Sequence, residues 1–346
     1  MKPKILSLGM AVPAWRYSQR EVFEGLGYPR PFWRIFRDSG IEERHFAVPM
    51  DVARGLSWQE QQERYLVDAL ALSEKAIRQC LDGRDPKSIG CLVYGTCTGY
   101  PPGPAMPHHL QRRLGFGPST YYLNISAQGC ESGFPGIKRA YDYVVANQEP
   151  ALVVNCELCS LTYYPEKPNP DPENDYECLR ANAVFADAAC AALVGFDDDW
   201  RHPTILETAT YTDTDYLDDL GYVWRDGRLR VQLSRRVPDL APVVVKPAVD
   251  EVLLRHKLLI KDIAWFVIHA AGSSVLDNIR DALGIPEEKM KLSRDTLAHY
   301  GNTSSTSVGL TGKRLMQEQI KQGDYMLMIN VGPGMTGGAT LGQFVA

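Results

Sequence analysis

The chain alternates short apolar runs with longer amphipathic stretches over most of its length. The clearest helix is predicted to begin behind Ser57, which forms a capping-box pattern with Glu60, and to continue to about Leu81 with apolar side chains on one face. Strands are predicted where turn or polar residues bound an apolar run, at residues 89–94, 121–125, 151–155, 189–195, 265–268 and 325–330. This succession is typical of an α/β protein built on buried strands.

The predicted strands also show a weak internal repeat. The strands that begin near Cys91 and Leu152 are separated by the same number of residues as those that begin near Trp265 and Met326. Matched spacing of this kind is expected of a duplicated unit. We therefore predict two α/β halves, an N-terminal half of residues 1–205 and a C-terminal half of residues 206–346.

Composition and charge narrow the classes of function. With 45% hydrophobic and 23% charged residues, the chain is predicted to fold as a globular protein. Its net charge of -5 offers no positive field to a polyanion, so nucleic acid is not an expected partner. No apolar stretch is long enough to span a membrane. The apolar run at the N-terminus meets Pro13 too early for a signal peptide, so we interpret it as a buried first strand.

The eight cysteines lie in apolar segments of a long chain, whereas disulfide frameworks belong mostly to short secreted domains. We therefore expect a reducing, cytoplasmic location. Cys156 and Cys159 form one CxxC without a second pair, so no metal site is predicted. The glycine-rich residues 331–342 lack a Walker GK[ST], so no phosphate cradle is predicted. Residues 165–174, which contain four prolines, are expected to form an exposed loop.

Cys130 stands where a strand ends, small residues form a turn, and a helix begins with Pro135 in its first turn. The N–H groups and the dipole of a helix favour a thiolate at this position, which predicts a nucleophilic cysteine with a depressed pKa. The alternative is a small apolar side chain buried in the core. If Cys130 is activated, iodoacetamide should alkylate it well before the other seven cysteines near neutral pH.

Two polar side chains further along the chain are candidates for the same site. His269 ends an apolar run and is predicted to lie at the carboxyl end of a strand, where ligands of α/β proteins gather. The alternative is a core histidine whose ring nitrogens form hydrogen bonds inside the protein. Asn302 follows a glycine and precedes small polar residues that lead into a helix, so it is either a functional amide or the N-cap of that helix.

Four motifs follow one another in a fixed order: GC at Cys130, IHAAG around His269, YGN around Asn302 and GPG at residues 332–334. This set resembles the decarboxylating condensing enzymes of the thiolase superfamily, above all the chalcone-synthase-like type III polyketide synthases. The ketoacyl-ACP synthase III enzymes are similar too, but the spacing fits them less well. The resemblance implies a thiolase-like fold, in which two duplicated α/β halves form a layered αβαβα arrangement.

The resemblance also implies roles for these residues. Cys130 would take the acyl group from a starter thioester, while His269 and Asn302 would donate hydrogen bonds to the enolate formed when a malonyl thioester loses CO₂. His269 would in addition form an ion pair with the thiolate. The N–H groups of Cys130 and Gly334 would form the oxyanion hole, because each step generates an oxyanion. No cofactor and no metal are implied.

Further residues are implied to contact the substrate. Phe185 matches the gatekeeping phenylalanine beside the cysteine, whereas Val231 stands at the second gatekeeper position and is expected to widen the passage. The other positions that the resemblance places along the cavity are Cys97, Thr98, Cys159, Thr162 and Ser304.

The resemblance implies acyl-CoA and malonyl-CoA as substrates, with an acyl-carrier protein as an alternative donor. Arg34 matches a residue that meets the phosphates of coenzyme A, but Asp38 stands where a second basic residue is usual, and Arg37 is a candidate to compensate. A homodimer is also implied, in which residues 100–106 align with a loop that reaches the cavity of the neighbouring subunit.

Other functions stay open. One is a single-step ketoacyl-ACP synthase III-like enzyme or acyl transferase fed by a carrier protein, which would add one C2 unit rather than release cyclised multi-unit products. Another is a Cys–His–Asn hydrolase, which would release free acid, although GCESG differs from the papain-like CGSCW pattern. The last is a partner subunit without activity.

Overall fold

The computed structural model describes residues 1–99, 103–163, 176–225 and 228–346. Its strands are β1 (Lys4–Ala11), β2 (Trp15–Ser18), β3 (Glu43–Phe46), β4 (Cys91–Thr96), β5 (Tyr121–Ser126), β6 (Ala151–Leu158), β7 (Asp187–Gly195), β8 (Thr204–Thr212), β9 (Leu220–Arg225), β10 (Arg228–Leu233), β11 (Ile263–Ile268), β12 (Tyr325–Gly332) and β13 (Thr336–Gln343). Its helices are α1 (Gln19–Leu26), α2 (Trp33–Arg37), α3 (Met50–Gly55), α4 (Trp58–Leu81), α5 (Met106–Leu114), α6 (Gly133–Asn147), α7 (Tyr176–Val184), α8 (Val237–His256), α9 (Ser273–Leu283), α10 (Lys291–Tyr300) and α11 (Ser307–Leu315).

The predicted helix and strands are present, with ends that differ by a few residues. The Ser57 hydroxyl accepts the N–H of Glu60 at 3.3 Å, and the Glu60 carboxylate accepts the N–H of Ser57 at 2.7 Å, so the capping box starts α4 as predicted. The six predicted strands correspond to β4, β5, β6, β7, β11 and β12, and the N-terminal run forms β1. The proline-rich residues 165–174 lie outside the described residues.

The sequence pattern did not predict β2, β3, β8, β9, β10 and β13. In β13 the reason is its glycine content, because glycine is rare in strands and gives no alternating pattern. These glycines serve close packing: a Cβ at Gly337 would lie 2.4 Å from the carbonyl oxygen of Val244 in α8. One at Gly338 would lie 2.9 Å from the ring of Phe134 in α6. Helices on both sides therefore approach β13 at backbone distance.

Nine strands form one mixed sheet in the order β11-β12-β13-β8-β1-β7-β6-β4-β5. In each half, a parallel pair (β4 and β6, or β11 and β12) is followed by an antiparallel strand (β7 or β13) and then by the first strand of that half (β1 or β8). The two halves join through β1 and β8 at the single residue pair Lys4–Thr204. This is the strand order that a duplicated unit would give, and the boundary at residue 205 stays a prediction.

The helices divide the molecule into layers. Outside the first half, α4 packs on β1, β6 and β7, and outside the second half α8 packs on β8, β12 and β13. Between the halves, α6 contacts both β6 and β13, and α11 contacts both β1 and β11. The αβαβα arrangement is therefore confirmed. Among the described helices, none is both long and apolar enough to cross a membrane.

Candidate active site

Three buried polar side chains from separate parts of the chain line one cavity of about 360 Å³. Cys130 lies in the helical turn Gly129–Glu131, between the end of β5 and the start of α6. His269 directly follows β11, and Asn302 follows α10. The carboxyl ends of β5 and β11, together with the central helix layer, bring the three residues to this cavity.

Strained backbone surrounds the nucleophile position. Three residues other than glycine have positive φ close to it: Ala127 at 62°, Ser304 at 54° and Met335 at 44°. Side chains other than glycine adopt this conformation rarely, and such residues persist where the surrounding packing enforces them. These three residues lie in the turn before Cys130, in the segment after Asn302 and in the turn between β12 and β13.

Burial governs the state of the Cys130 thiol. It raises the pKa of Cys130 to about 12, although a hydrogen bond from Ser304 Oγ to Sγ at 3.3 Å and the residue's own N–H lower the pKa in part. The predicted depressed pKa is therefore wrong for this structure. The loss of solvent around the sulfur outweighs the hydrogen bonds that favour the thiolate.

This state gives a testable pH dependence. Because the pKa lies far above 7, the thiolate fraction should rise about tenfold for each pH unit between pH 7 and 9. The rate of iodoacetamide alkylation at Cys130, followed by peptide mass spectrometry, should rise in the same proportion. A rate that levels off below pH 8 would show instead that the thiol has a depressed pKa.

The imidazole of His269 is also held in its neutral form. Burial lowers the pKa of His269 to about 4. The ring nitrogen Nδ1 is hydrogen-bonded to the hydroxyl of Ser307, and the backbone N–H donates to the carbonyl of Ile329 at 2.9 Å. Burial thus favours a neutral thiol and a neutral imidazole, against the ion pair that the resemblance implies.

The amide of Asn302 has a fixed orientation. Its Oδ1 accepts the N–H of Ser304 at 2.9 Å, and its Nδ2 donates to the carbonyl of Ala271 at 3.1 Å, which leaves a second N–H on Nδ2. The backbone of Asn302 pairs with the segment around Phe185, whose side chain lines the same cavity. Asn302 does not cap α11, which begins only at Ser307.

The turn between β12 and β13 packs against the turn of Cys130. A Cβ at Gly129 would lie 2.3 Å from the ring of Pro333, and one at Gly332 would lie 2.7 Å from the N–H nitrogen of Glu131. Gly334, at φ 73°, is part of the same turn. This closeness is compatible with an oxyanion hole formed by the N–H groups of Cys130 and Gly334, which stays a prediction.

Glu157 is a buried residue of this region that the sequence analysis missed. It is the last residue but one of β6, and it accepts hydrogen bonds from the Cys97 N–H at 3.0 Å and the Thr98 hydroxyl at 2.9 Å. Burial raises its pKa. Cys97 Sγ in turn lies 3.3 Å from Ser304 Oγ, the hydroxyl that contacts Cys130. The sequence did contain a signal for Glu157, namely a charged residue within an apolar strand.

Two family models match separate parts of the chain. Residues 46–198 match the family model "Chalcone and stilbene synthases, N-terminal domain", and residues 253–344 match "3-Oxoacyl-[acyl-carrier-protein (ACP)] synthase III C terminal". A putative chalcone synthase of Bacillus subtilis (strain 168) is 29% identical over 357 residues, covering 96% of each chain. A 1,3,6,8-tetrahydroxynaphthalene synthase of Streptomyces griseus is 28% identical over 319 residues, covering 90% of this chain and 82% of that protein.

A solved structure agrees over the whole chain. The crystal structure of 1,3,6,8-tetrahydroxynaphthalene synthase from Streptomyces coelicolor A3(2), a bacterial type III polyketide synthase, has a TM-score of 0.89 and 25% sequence identity, covering 99% of each chain. The chain is similar to type III polyketide synthases over nearly its full length.

The predicted substrate contacts fall into two groups. Phe185 lines the cavity together with Cys130, His269 and Asn302. The remaining residues are buried but are not among the described residues that line this cavity: Cys97, Thr98, Cys159, Thr162, Val231 and Ser304. Their contact with substrate stays a prediction.

Val231 has a neighbour that bears on the expected widening of the passage. It lies in β10 directly opposite Tyr222 in β9, and the Tyr222 hydroxyl reaches Cys97 Sγ at 3.4 Å. Val231, Cys130, Cys159 and Phe185 belong to one buried apolar cluster, against which Tyr222 packs. The phenol ring therefore packs into the region where a smaller gatekeeper would leave space.

Three arginines line the more exposed part of the cavity: Arg34 from α2, Arg180 from α7, and Arg235 behind β10. Burial lowers the pKa of Arg180, the charge of Glu177 raises it in part, and the charge of Arg235 lowers it further. Sequence analysis identified only Arg34 of the three. Asp38 also lines the cavity, and Arg37, which does not, forms an ion pair with it at 2.7 Å.

Proposed function

We propose that this chain is a type III polyketide-synthase-like acyltransferase, which loads an acyl group on Cys130 and condenses it with a malonyl-type extender. The observation that carries the proposal is that a thiol, an imidazole and a carboxamide line one cavity. Relatives over most of the chain are 1,3,6,8-tetrahydroxynaphthalene, 3,5-dihydroxyphenylacetyl-CoA and phloroglucinol synthases. These names support the reaction class.

In the first step, Cys130 Sγ attacks the carbonyl carbon of an acyl thioester. A carbon–sulfur bond forms to Cys130, the bond to the donor sulfur breaks, and the thiol proton passes to the departing thiolate. Two features of the chain favour the thiolate that this step needs: the hydrogen bond from Ser304 and the amino-terminal end of α6. The N–H groups of Cys130 and Gly334 are the proposed donors to the carbonyl oxygen.

In the second step, a malonyl thioester loses CO₂ and its electron pair passes onto the thioester oxygen as an enolate. His269 and Asn302 are the proposed hydrogen-bond donors to this oxygen, since both line the cavity and Asn302 has an N–H to spare. The enolate carbon then attacks the acyl carbon, the bond to Cys130 breaks, and the released thiolate regains a proton from solvent. The product is a thioester lengthened by one C2 unit.

The three arginines support coenzyme A as the carrier of both substrates. Phosphates are recognised by arginine through paired, charge-assisted hydrogen bonds, and Arg34, Arg180 and Arg235 all line the cavity. Among the described residues that line this cavity, these three cations outnumber the one carboxylate, Asp38. An acyl-carrier protein is the alternative to coenzyme A, because its phosphopantetheine group also has a phosphate.

We predict that Arg180→Ala raises the KM for a coenzyme A thioester about tenfold, the loss expected for one charge-assisted contact. The KM for the matching N-acetylcysteamine thioester, which has no phosphate, should not change. Arg78→Ala serves as the control, since Arg78 is paired with Glu74 on the outer helix α4. Equal losses with both thioesters would show that Arg180 contacts no phosphate.

The reaction itself is tested with a panel of acyl-CoA starters and malonyl-CoA, by CO₂ release and product mass. We expect CO₂ and products that contain several C2 units. The match of residues 253–344 to a ketoacyl synthase III model makes a single condensation the second candidate, which one added C2 unit would reveal. Free acid without carbon–carbon bond formation, or no turnover with any starter, would rule out both.

We also propose that the chain forms a homodimer. β5 is the last strand of the sheet, and its Tyr121 and Leu123 are 68% and 37% exposed. An unpaired sheet edge with exposed apolar side chains favours pairing with a second copy. The loop at residues 100–106, proposed to reach the partner's cavity, lies partly outside the described residues. Light scattering would give the mass in solution.

We keep the cytoplasm as the expected location, because all eight cysteines are unpaired.

A further inference from the structure

Arg44 of β3 is fully buried, although it is not among the described residues that line the cavity of Cys130. Its Nη1 donates to the carbonyl oxygens of Asn182 and Phe185, both at 2.8 Å, and lies 2.9 Å from the hydroxyl oxygen of Tyr163. The Tyr163 hydroxyl in turn donates to the Phe185 carbonyl at 2.6 Å. The carbonyl oxygen of Phe185 therefore accepts hydrogen bonds from two buried side chains.

The segment of Phe185 depends on these donors because it lies between two elements. Phe185 follows Val184, the last residue of α7, and precedes β7. Its bridge to Asn302 uses the carbonyl of Val184 and the N–H of Ala186, each at 2.9 Å, and leaves the Phe185 carbonyl to the side chains. The side chain of the same residue lines the cavity. The two donors thus act on the backbone of a residue whose ring borders the substrate space.

The apolar stem of Arg44 also contacts the segment of Asn302. A Cβ at Gly301, which has a φ of 69°, would lie 2.8 Å from Cγ of Arg44. Only glycine leaves room for the stem at this distance. Because the backbones of Asn302 and Phe185 pair with each other, Arg44 packs on both sides of this pair.

The buried guanidinium costs stability. Among the described residues, Arg44 Nε and Nη2 reach no hydrogen-bond partner, although the guanidinium carbon lies 5.5 Å from the centre of the Phe46 ring. Burial lowers the pKa of Arg44, and the nearby Tyr163 and Asp187 raise it in part. A buried cation with unpaired N–H groups is often less stable than an apolar side chain of similar volume. Stability alone therefore does not account for an arginine at this position.

We infer that Arg44, together with Tyr163, is a positioning residue that fixes the Phe185 ring against the cavity and thereby limits the size of the acyl group that reaches Cys130. The inference rests on the proposed function for the acyl thioester. The fixed position of Phe185 is a property of the resting protein.

The first test is competition between hexanoyl-CoA and lauroyl-CoA in equal amounts. The ratio of the two acyl adducts on Cys130, measured by intact-protein mass spectrometry before loading is complete, depends on the two rate constants and not on the fraction of folded protein. A ring that is no longer fixed should yield to the longer chain. We expect Tyr163→Phe, which removes one donor, to shift the ratio about threefold towards the lauroyl adduct.

Arg44→Met removes the other donor and keeps an apolar stem against Gly301. It should shift the adduct ratio at least about fivefold in the same direction, within the range by which the wall of an apolar pocket discriminates between chains. Arg44→Lys, which keeps a buried cation with N–H donors, should return the ratio part of the way to wild type.

Tyr65→Phe is the matched control. Like Tyr163, Tyr65 is buried and its hydroxyl donates to a backbone carbonyl, that of Cys156 at 3.1 Å, but it lies in the outer helix α4 and not at the cavity. It should leave the adduct ratio unchanged. An unchanged ratio in folded Tyr163→Phe and Arg44→Met, or an equal shift in Tyr65→Phe, would overturn the inference.

A second measurement does not depend on any reaction. In protein labelled with 4-fluorophenylalanine, with the Phe185 signal assigned by Phe185→Leu, the ¹⁹F resonance of Phe185 should move in Tyr163→Phe and Arg44→Met and stay in place in Tyr65→Phe. A Phe185 resonance that is the same in all of these proteins would also overturn the inference. Absence of any acyl adduct on wild type, with the expected changes in the ¹⁹F spectrum, would instead contradict only the proposed function.

Discussion

Cys130→Ala should abolish condensation, with product formation falling at least about 10³-fold, because the variant lacks the atom to which the acyl group is transferred. Intact-protein mass spectrometry after incubation with acyl-CoA should show an acyl adduct on wild type and none on the variant. Removing one sulfur from a buried cluster leaves a small cavity, so the variant should still fold.

Cys91→Ala is the control for this experiment. Cys91 is equally buried, but it lies at the start of β4 among the central apolar residues, away from the cavity. It should retain both the adduct and the product. An adduct that persists in Cys130→Ala would mean that another thiol, such as Cys97 or Cys159, is the nucleophile.

Asn302→Asp should reduce decarboxylation and condensation about 10²–10³-fold, the loss that follows removal of one oxyanion donor. The aspartate keeps Oδ1, which accepts the N–H of Ser304, so the local turn is preserved. It replaces Nδ2 by an acceptor that repels the enolate oxygen. CO₂ release from malonyl-CoA measures the loss directly.

Loading of Cys130 should survive this substitution, because the amide is proposed to act only on the malonyl thioester. The acyl adduct, measured by intact mass, should form in Asn302→Asp at nearly the wild-type rate. Asn147→Asp at the exposed end of α6 controls for the added negative charge. Parallel loss of loading and decarboxylation would show that Asn302 supports the fold of the site rather than one reaction step.

The sequence predicted the elements that have strong local signals. The Ser57 capping box, the β-branched runs and the paired spacing of the two halves rely on neighbours within a few residues of each other, and these elements are all present. β13 has no such signal, since its glycines are explained only by the helices α6 and α8 that approach it from distant parts of the chain.

The same distinction holds for the site. Cys130, His269 and Asn302 each stand in a recognisable motif, whereas Arg44 and Arg180 become relevant only through partners far away in sequence. Sequence reasoning also gave the wrong direction for the pKa of Cys130. A helix terminus can be read from a motif, but the loss of solvent that raises the pKa follows from packing between the halves.

The nucleophile reaches the cavity from one half of the molecule and both enolate donors reach it from the other. The strands of the two halves pair only at Lys4 and Thr204, and the helices α6 and α11 pack between them. Ile137 of α6 and Val308 of α11 belong to one buried apolar cluster between the halves. Substitutions at these positions would contact no substrate, but they would change the distance across which the new carbon–carbon bond has to form.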